Sequence, residues 1–343
     1  MNDSKFLNAL ELKPNSTPPI WFMRQAGRYL PEYQEIRKNY SNFLDMCKEP
    51  KTCAKLALQP IERFDLDASI LFSDILTIPD ALDLGLAFHE GEGPKFSNPI
   101  SKPEDINTLI SFDENTLSYV FNAVEETKKL LPADLPLIGF CGSPWTLAAY
   151  SIEGGGSKDF KKTKNFMRDH PSALHDFLEI LCDACYRYLR QQVLSGVNAL
   201  QIFDSWADLL SAQELEIFSL QYTKKITQKL KSDPMTKNIP IILFEKDPKQ
   251  KITDLIFDDL SCISLHWKND IEAISKSVKN NIAIQGNLNP MILSESDEII
   301  YQEVQRLCSI MFEYPGFIFN LGHGITPDIN PQKVQTMIKA ARE

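Results

Sequence analysis

Residues Pro136 to Gly156 read PLIGFCGSPWTLAAYSIEGGG. The opening run, Pro136 to Phe140, is continuously apolar, which suits a strand covered on both faces. From Ser143 to Glu153 the pattern turns helical, and Gly154-Gly155-Gly156 stops it, since glycine readily takes the left-handed conformation that ends helices. The triplet lacks the lysine of a phosphate loop and follows a helix, so it reads as a stop, with Ser157 as N-cap of the next helix. A buried strand running straight into a helix is the repeating unit of a parallel sheet.

Outward from this stretch the same unit recurs. Apolar runs precede it at Pro19 to Met23 and Ala68 to Ser73, and follow it at Ala199 to Phe203, Pro240 to Phe244, Cys262 to Leu265, Ala283 to Gln285 and Phe317 to Asn320. Every interval has room for a helix, including the short ones, Ile252 to Leu260 and Ile271 to Val278. Eight strand and helix units close naturally into a barrel. The long intervals after Met23 and Ser73 read as loop insertions carrying extra helices, and nothing resembles a linker or a repeat. The expectation is an α/β fold, a single-domain (β/α)8 TIM barrel with loop insertions spanning residues 1–343.

Composition agrees with a globular chain. Of 343 residues, 43% are hydrophobic and 24% charged, which excludes disordered, collagenous and small disulfide-stapled classes. The net charge of −10 argues against a nucleic-acid partner and gives no reason to expect an anionic substrate. The start shows no secretory signal and no apolar run is long enough to span a bilayer, so no membrane association is expected. Seven cysteines, an odd number, fit reduced thiols in a cytoplasmic protein. Cys182 and Cys185 form C-x-x-C, yet they sit on an amphipathic run, Ala173 to Val193, and read as core thiols.

Polar residues at the strand ends are the candidates for chemistry, because a barrel builds its site there. Nine of the 14 glycines (27, 139, 142, 154, 155, 156, 286, 322, 324) fall in such segments, and their tight turns mark that face. After the first strand come Arg24 and Arg28, with Arg37 further on. If that stretch is one helical turn, the first two share a face, and guanidinium forks suit a polyanion. The second strand delivers Asp74 among apolar residues, where it caps the next helix or serves a site. The fourth ends Phe203-Asp204-Ser205-Trp206, and the last ends Gly322-His323-Gly324, an accessible imidazole. His266 and His323 lack the neighbours that would complete a zinc set.

Met23 to Arg28 with Tyr29-Leu30-Pro31, and Gly139 to Leu147 followed by Tyr150 and Glu153 to Gly156, resemble the two signature segments of the uroporphyrinogen decarboxylase family. Leu71 to Leu76, Gln285 to Leu288 and Leu321 to Gly324 match further family segments in order, so the resemblance spans nearly the whole chain. It implies a cofactor-free barrel without metal, typically a homodimer, that converts the four acetate side chains of uroporphyrinogen III to methyls, giving coproporphyrinogen III in haem synthesis. It also implies roles. Asp74 would hold the pyrrole NH groups and stabilise developing positive charge; Arg24 and Tyr150 would join it in catalysis. Arg24, Arg28 and Arg37 would bind acetates and propionates, with Tyr150, Ser205 and His323 as further contacts and Phe203 as an apolar wall. The proton donor is left open among Arg24, His323 and water.

Two segments depart from the family pattern. Leu265-His266-Trp267 carries histidine where an acid is more usual, and Glu245-Lys246-Asp247-Pro248 replaces a turn expected to contain glycine. Two other functions are weighed: a zinc-dependent corrinoid or folate methyltransferase of the same barrel superfamily, and a catalytically silent porphyrinogen-binding homologue.

Overall fold

The computed structural model describes residues 4–89, 93–278 and 280–343. Its strands are β1 (Ser69–Ile70), β2 (Leu86–His89), β3 (Gly93–Phe96), β4 (Leu137–Gly142), β5 (Ala199–Asp204), β6 (Ile241–Glu245), β7 (Cys262–Ser264), β8 (Ala283–Leu288) and β9 (Phe317–Leu321). Seven of them form one parallel sheet in the order β1, β4, β5, β6, β7, β8, β9, with a helix or a turn of helix in each crossover. The α/β barrel expected from the apolar runs is therefore present, and seven of the eight runs are strands.

The eighth run, Pro19 to Met23, is reduced to a single parallel bridge between Ile20 and Phe319 on β9. On its other side the Ile20 carbonyl accepts from the Asp67 amide at 2.8 Å, just before β1. The sheet thus curls until Ile20 stitches its two edges together. A longer ladder does not form for two local reasons. Pro18 and Pro19 have no amide to donate, and the Ile20 amide donates to the Asp67 carboxylate at 2.6 Å instead of to a strand. Arg342 holds the same Asp67 oxygen at 2.6 Å.

Hydrogen bonds across the barrel show which residues point inward. Gln285 on β8 donates to Gln201 on β5 (3.2 Å) and to Ser264 on β7 (2.8 Å), and it accepts from the Trp21 indole at 2.8 Å. β8 and β5 are not neighbours in the sheet, so these bonds cross the interior. A second bond at the seam runs from the Met23 amide to the Asn320 side chain at 3.1 Å. Below this polar belt lies an apolar floor that includes Ala68, Ile138, Ala199, Ile242, Cys262, Ala283 and Ile318, closed by Phe6 and Leu10 of the helix Lys5–Leu10. Each of these side-chain amides makes at least one bond, which offsets part of the cost of burial, but the Gln201 Nε2 and Asn320 Nδ2 groups have no partner among the described residues.

Outside the sheet, the helix Pro171–Ser195 carries Cys182 and Cys185 on its buried face as expected, with their thiols directed at the carbonyls of Tyr222 and Gly142. The helix Pro144–Glu153 starts at Ser143, whose hydroxyl accepts from Thr146, and stops at Gly154 in the left-handed conformation. Ser157 is not the cap of the following helix. That helix, Lys161–Asp169, has Phe160 at its N-cap, and the Ser157 hydroxyl accepts from the Phe160 amide at 3.2 Å to shape the turn before it. Glu153 does the capping instead, accepting from the Thr163 amide at 3.1 Å. Ile252 to Leu260 also falls short of a helix, forming one 3-10 turn at Ile252–Leu255, whereas Ile271–Val278 is helical as read. The insertion after β1 holds helices and, in addition, the antiparallel hairpin β2–β3.

Candidate active site

The strand ends bring Asp74, Arg24, Tyr150 and His323 to one mouth. Asp74 lies just beyond β1, and its Oδ1 accepts from the Leu76 amide at 2.8 Å. The capping role read from sequence is thus real, but it uses one oxygen. The other takes no hydrogen bond from the described residues. Burial raises the Asp74 pKa, while the Leu76 amide and the positive charge of Arg24 oppose the rise.

Arg24 reaches the mouth by an unusual backbone. The stretch from Arg24 to Arg28 is not a helical turn; Arg24 has φ of 64°, in the left-handed region, and the chain turns tightly there. The two arginines therefore do not share a helix face. The Arg24 side chain lies along Gly324, where a Cβ would stand 2.5 Å from its Cδ. Glycine at 324 is what lets the guanidinium pass. Arg28 and Arg37 sit further out, around Tyr33, whose hydroxyl both charges influence. Arg37 also donates to the Tyr40 carbonyl at 2.6 Å. Between this lip and Asp74 runs an aromatic wall: Tyr33 stands 5.9 Å from Phe72, Phe43 is 6.1 Å from Phe72, and Phe88 of the β2–β3 hairpin is 4.9 Å from Phe43.

Tyr150 projects from the helix Pro144–Glu153 into an aromatic box with Trp206 at 5.6 Å and Phe160 at 6.1 Å. Its pKa is raised chiefly by burial and also by Asp74, so it is a neutral phenol beside a carboxylate. Phe203 packs edge-on between Phe140 (5.8 Å) and Phe244 (6.0 Å). These three rings form the apolar floor of the mouth. Ser205 is half-buried just past β5. His323 stands 6.4 Å from the Phe244 ring and 6.3 Å from His266. Its imidazole is pushed down to about 4 by burial, with Arg24, Lys246 and His266 adding to the effect. It is neutral near pH 7.

Several residues here went unassigned in the sequence. Asn287 pins the loop after β7, donating to the carbonyls of His266 (3.1 Å) and Asn269 (2.8 Å). Lys246, one residue past β6, places its amine 3.1 Å from Asp208 and 4.5 Å from the Trp206 ring centre. Its alternation with Phe244, which faces the interior beside Phe203, was the available signal. Behind the mouth, Asp204 is buried and accepts from Thr146 at 2.8 Å and from Ser219.

Residues 1–343 match the family model described as uroporphyrinogen decarboxylase. The chain belongs to the uroporphyrinogen decarboxylase family. Relatives bearing that name include one from Vesicomyosocius okutanii, 47% identical over 97% of this chain and 96% of the relative. Another, from Legionella pneumophila, is 45% identical over 100% of this chain and 97% of its own. Among solved structures, a methyltransferase from Methanosarcina mazei superposes with a TM-score of 0.79 at 18% identity, covering 98% of this chain and 97% of that one. A B12-independent methionine synthase from Shewanella sp. W3-18-1 gives 0.53 at 10%, covering 96% and 94%. At such identities these two share the fold alone with the decarboxylase family member described here. No helix among the described residues is long and apolar enough to cross a membrane.

Proposed function

We infer that this chain is a uroporphyrinogen decarboxylase: a carboxy-lyase that removes the four acetate carboxyls of uroporphyrinogen III to give coproporphyrinogen III. The observation that carries the reading is the meeting of Asp74, Arg24, Tyr150 and His323 at one mouth of a barrel whose full length matches the family. The same full-length match favours a decarboxylase over a methyltransferase, which the fold alone would also permit.

The substrate is its own electron sink. Protonation of a pyrrole ring carbon makes the ring cationic. The bond from the side-chain methylene to the carboxylate then breaks, carbon dioxide leaves, and the electron pair enters the ring. The exocyclic methylene left behind takes a proton to become methyl, and the ring carbon gives up the one it gained. Asp74 accepts hydrogen bonds from the pyrrole NH groups through its open oxygen and stabilises the cationic ring. Fixed carboxylates of this kind act where water is excluded and are worth more than in solution. Arg24 binds the reacting acetate beside Asp74, and Tyr150 donates its hydroxyl to it. Arg28 and Arg37 hold outer acetates and propionates, Ser205 and His323 add hydrogen bonds, and Phe203 lies under a pyrrole. His323, neutral near pH 7 in the free enzyme, is a hydrogen-bonding group there, and Arg24, His323 and water are the candidates for proton delivery. The whole chain, 1–343, acts as one domain of a cytoplasmic homodimer.

The test is anaerobic incubation with uroporphyrinogen III followed by chromatography of the seven- to four-carboxylate products. Product from the wild type and a loss of at least about a hundredfold in kcat for Asp74→Asn, the scale of removing a key electrostatic group, are expected. Absence of product from the wild type would sink the reading, and so would near-normal turnover by a folded Asp74→Asn. Light scattering tests the dimer.

A further inference from the structure

We propose that Lys246 is a second anchor for the substrate's peripheral carboxylates, gripping the macrocycle from the side of the barrel opposite the arginines and exchanging Asp208 for the ligand as it does so. The proposal rests on the decarboxylase reading for its substrate class, a cyclic tetrapyrrole with carboxylates around its whole rim.

The topology sets the position. Reading round the hoop, the Ile20 segment comes first, then β1, β4, β5 and β6. With the Ile20 segment, β1, β4, β5, β6, β7, β8 and β9 taken as successive staves, β6 lies diametrically opposite the stave that carries Arg24 and Arg28. Lys246 is the first residue after β6. A ligand centred over Asp74 with carboxylates on one side among Arg24, Arg28 and Arg37 must present others on the far side. Lys246, the first residue past the opposite strand, stands there; Lys268, past the neighbouring strand β7, is paired with Asp247 at 2.6 Å.

Its surroundings leave it ready for an exchange. An ammonium has three N–H donors, and the described residues engage it through one ion pair, to Asp208, with the Trp206 ring on another side. The Asp208 side is half-made as well, since its Oδ1 is buried with no hydrogen-bond partner among the described residues. Lysine and Asp208 side chains are about one-quarter exposed, 22% and 27%, so neither is sealed from a ligand. The charge of Lys246 also reaches the mouth, because it helps to keep His323 neutral. A carboxylate arriving at Lys246 therefore meets a positive group already placed against an aromatic face, where amphipathic lysine stems are held in one direction.

The experiment uses the full-length enzyme with uroporphyrinogen III under anaerobic conditions, comparing Lys246→Met, Lys246→Arg and Asp208→Asn. Lys246→Met should raise KM about tenfold, the scale of one charge-assisted hydrogen bond, with kcat within about threefold of wild type. Lys246→Arg should restore most of the loss. Asp208→Asn, which frees the lysine and leaves the wall in place, should lower KM. A normal KM in folded Lys246→Met overturns the proposal. Should that variant not fold, an unchanged or raised KM in Asp208→Asn overturns it. If the wild type makes no product, the decarboxylase reading fails separately. Binding of uroporphyrin, the oxidised octacarboxylate, followed by quenching of tryptophan fluorescence, then still decides: equal affinity of wild type and Lys246→Met refutes the anchor.

Discussion

Asp204 and Glu245 stand side by side in register at the ends of β5 and β6, both fully buried. Two carboxylates so placed cannot both be charged. Asp204 already accepts from Thr146 and Ser219, while neither Glu245 oxygen has a partner of that kind. The proton therefore resides on Glu245, whose pKa burial and Asp204 push well up. The pair adjoins Phe203, Ser205 and Lys246 in the chain, and Asp204 ties the end of β5 to Thr146 and Ser219.

A group whose folded pKa is raised stabilises the protein most at low pH and loses that contribution as pH climbs from its ordinary range of about 4.3 through the raised value. Glu245→Gln keeps a neutral donor beside Asp204 and removes the titration. Wild type should therefore lose stability relative to Glu245→Gln as pH rises above about 5, by up to about 1.4 kcal/mol per pH unit for one proton. Urea unfolding at pH 5, 6.5 and 8 measures the gap, and parallel curves would refute a raised Glu245 pKa.

Asp74 carries a structural duty and a chemical one, and two substitutions separate them. Asparagine retains an oxygen for the Leu76 amide, so Asp74→Asn should melt within a degree or two of wild type, about 0.5 kcal/mol, yet be nearly inactive. Asp74→Ala should be inactive and also less stable by about 1 kcal/mol, the usual worth of a lost cap. Thermal unfolding beside turnover checks both. Equal stability of the two variants would contradict the cap.

The glycines around His323 should separate in the same way. A Cβ at Gly322 would fall 2.2 Å from the Trp267 amide nitrogen, which is backbone and cannot yield cheaply, whereas one at Gly324 meets only the flexible Arg24 side chain. Gly322→Ala should impair folding, seen as a large drop in melting temperature. Gly324→Ala should fold, displace the guanidinium and lose activity. Normal turnover in Gly324→Ala would show that Arg24 need not lie where it does.

His323 should not titrate near neutrality. With its pKa pushed down to about 4, its resonances in a proton NMR titration should stay constant from pH 8 to pH 5 and move only below that. The sign for stability follows: a depressed pKa gives a contribution present above about 6.5 and lost as pH falls toward the folded value. His323→Asn should abolish that acid-side loss. A midpoint near 6.5 in the folded enzyme would contradict the buried, positively flanked site.

Strand positions were legible because buried parallel strands are apolar without interruption; each run from Ala68 onward began within a residue of its strand, while the ends of the Ala68 and Ala283 runs missed by three. The run at Pro19 misled because its composition is that of a strand, while Pro18 and Pro19 have no amide to donate and the Ile20 amide is taken by a distant carboxylate, Asp67. Asp74 and His323 were visible as polar residues at apolar strand ends. Lys246 and Glu245 were passed over as loop detail, since what distinguishes them is a neighbour on another strand: Asp204 in register for one, Trp206 and Asp208 for the other. Sequence spacing carries no trace of such neighbours. The left-handed turn at Arg24 was hidden for a similar reason, because a helical spacing of arginines looks the same whether or not the backbone is helical.

The stitch at Ile20 gives the barrel an uneven hoop. β5 and β6 share five register pairs, β1 and β4 share two, and the seam has one bridge. Arg24 hangs on the weakest stave and Lys246 on one of the strongest. The seam is nevertheless closed on both sides, by Phe319 to Pro19 (2.9 Å) and Asp67 to Ile20 (2.8 Å), so the two sets of cations are mounted on a continuous hoop whose ladder differs in length from stave to stave.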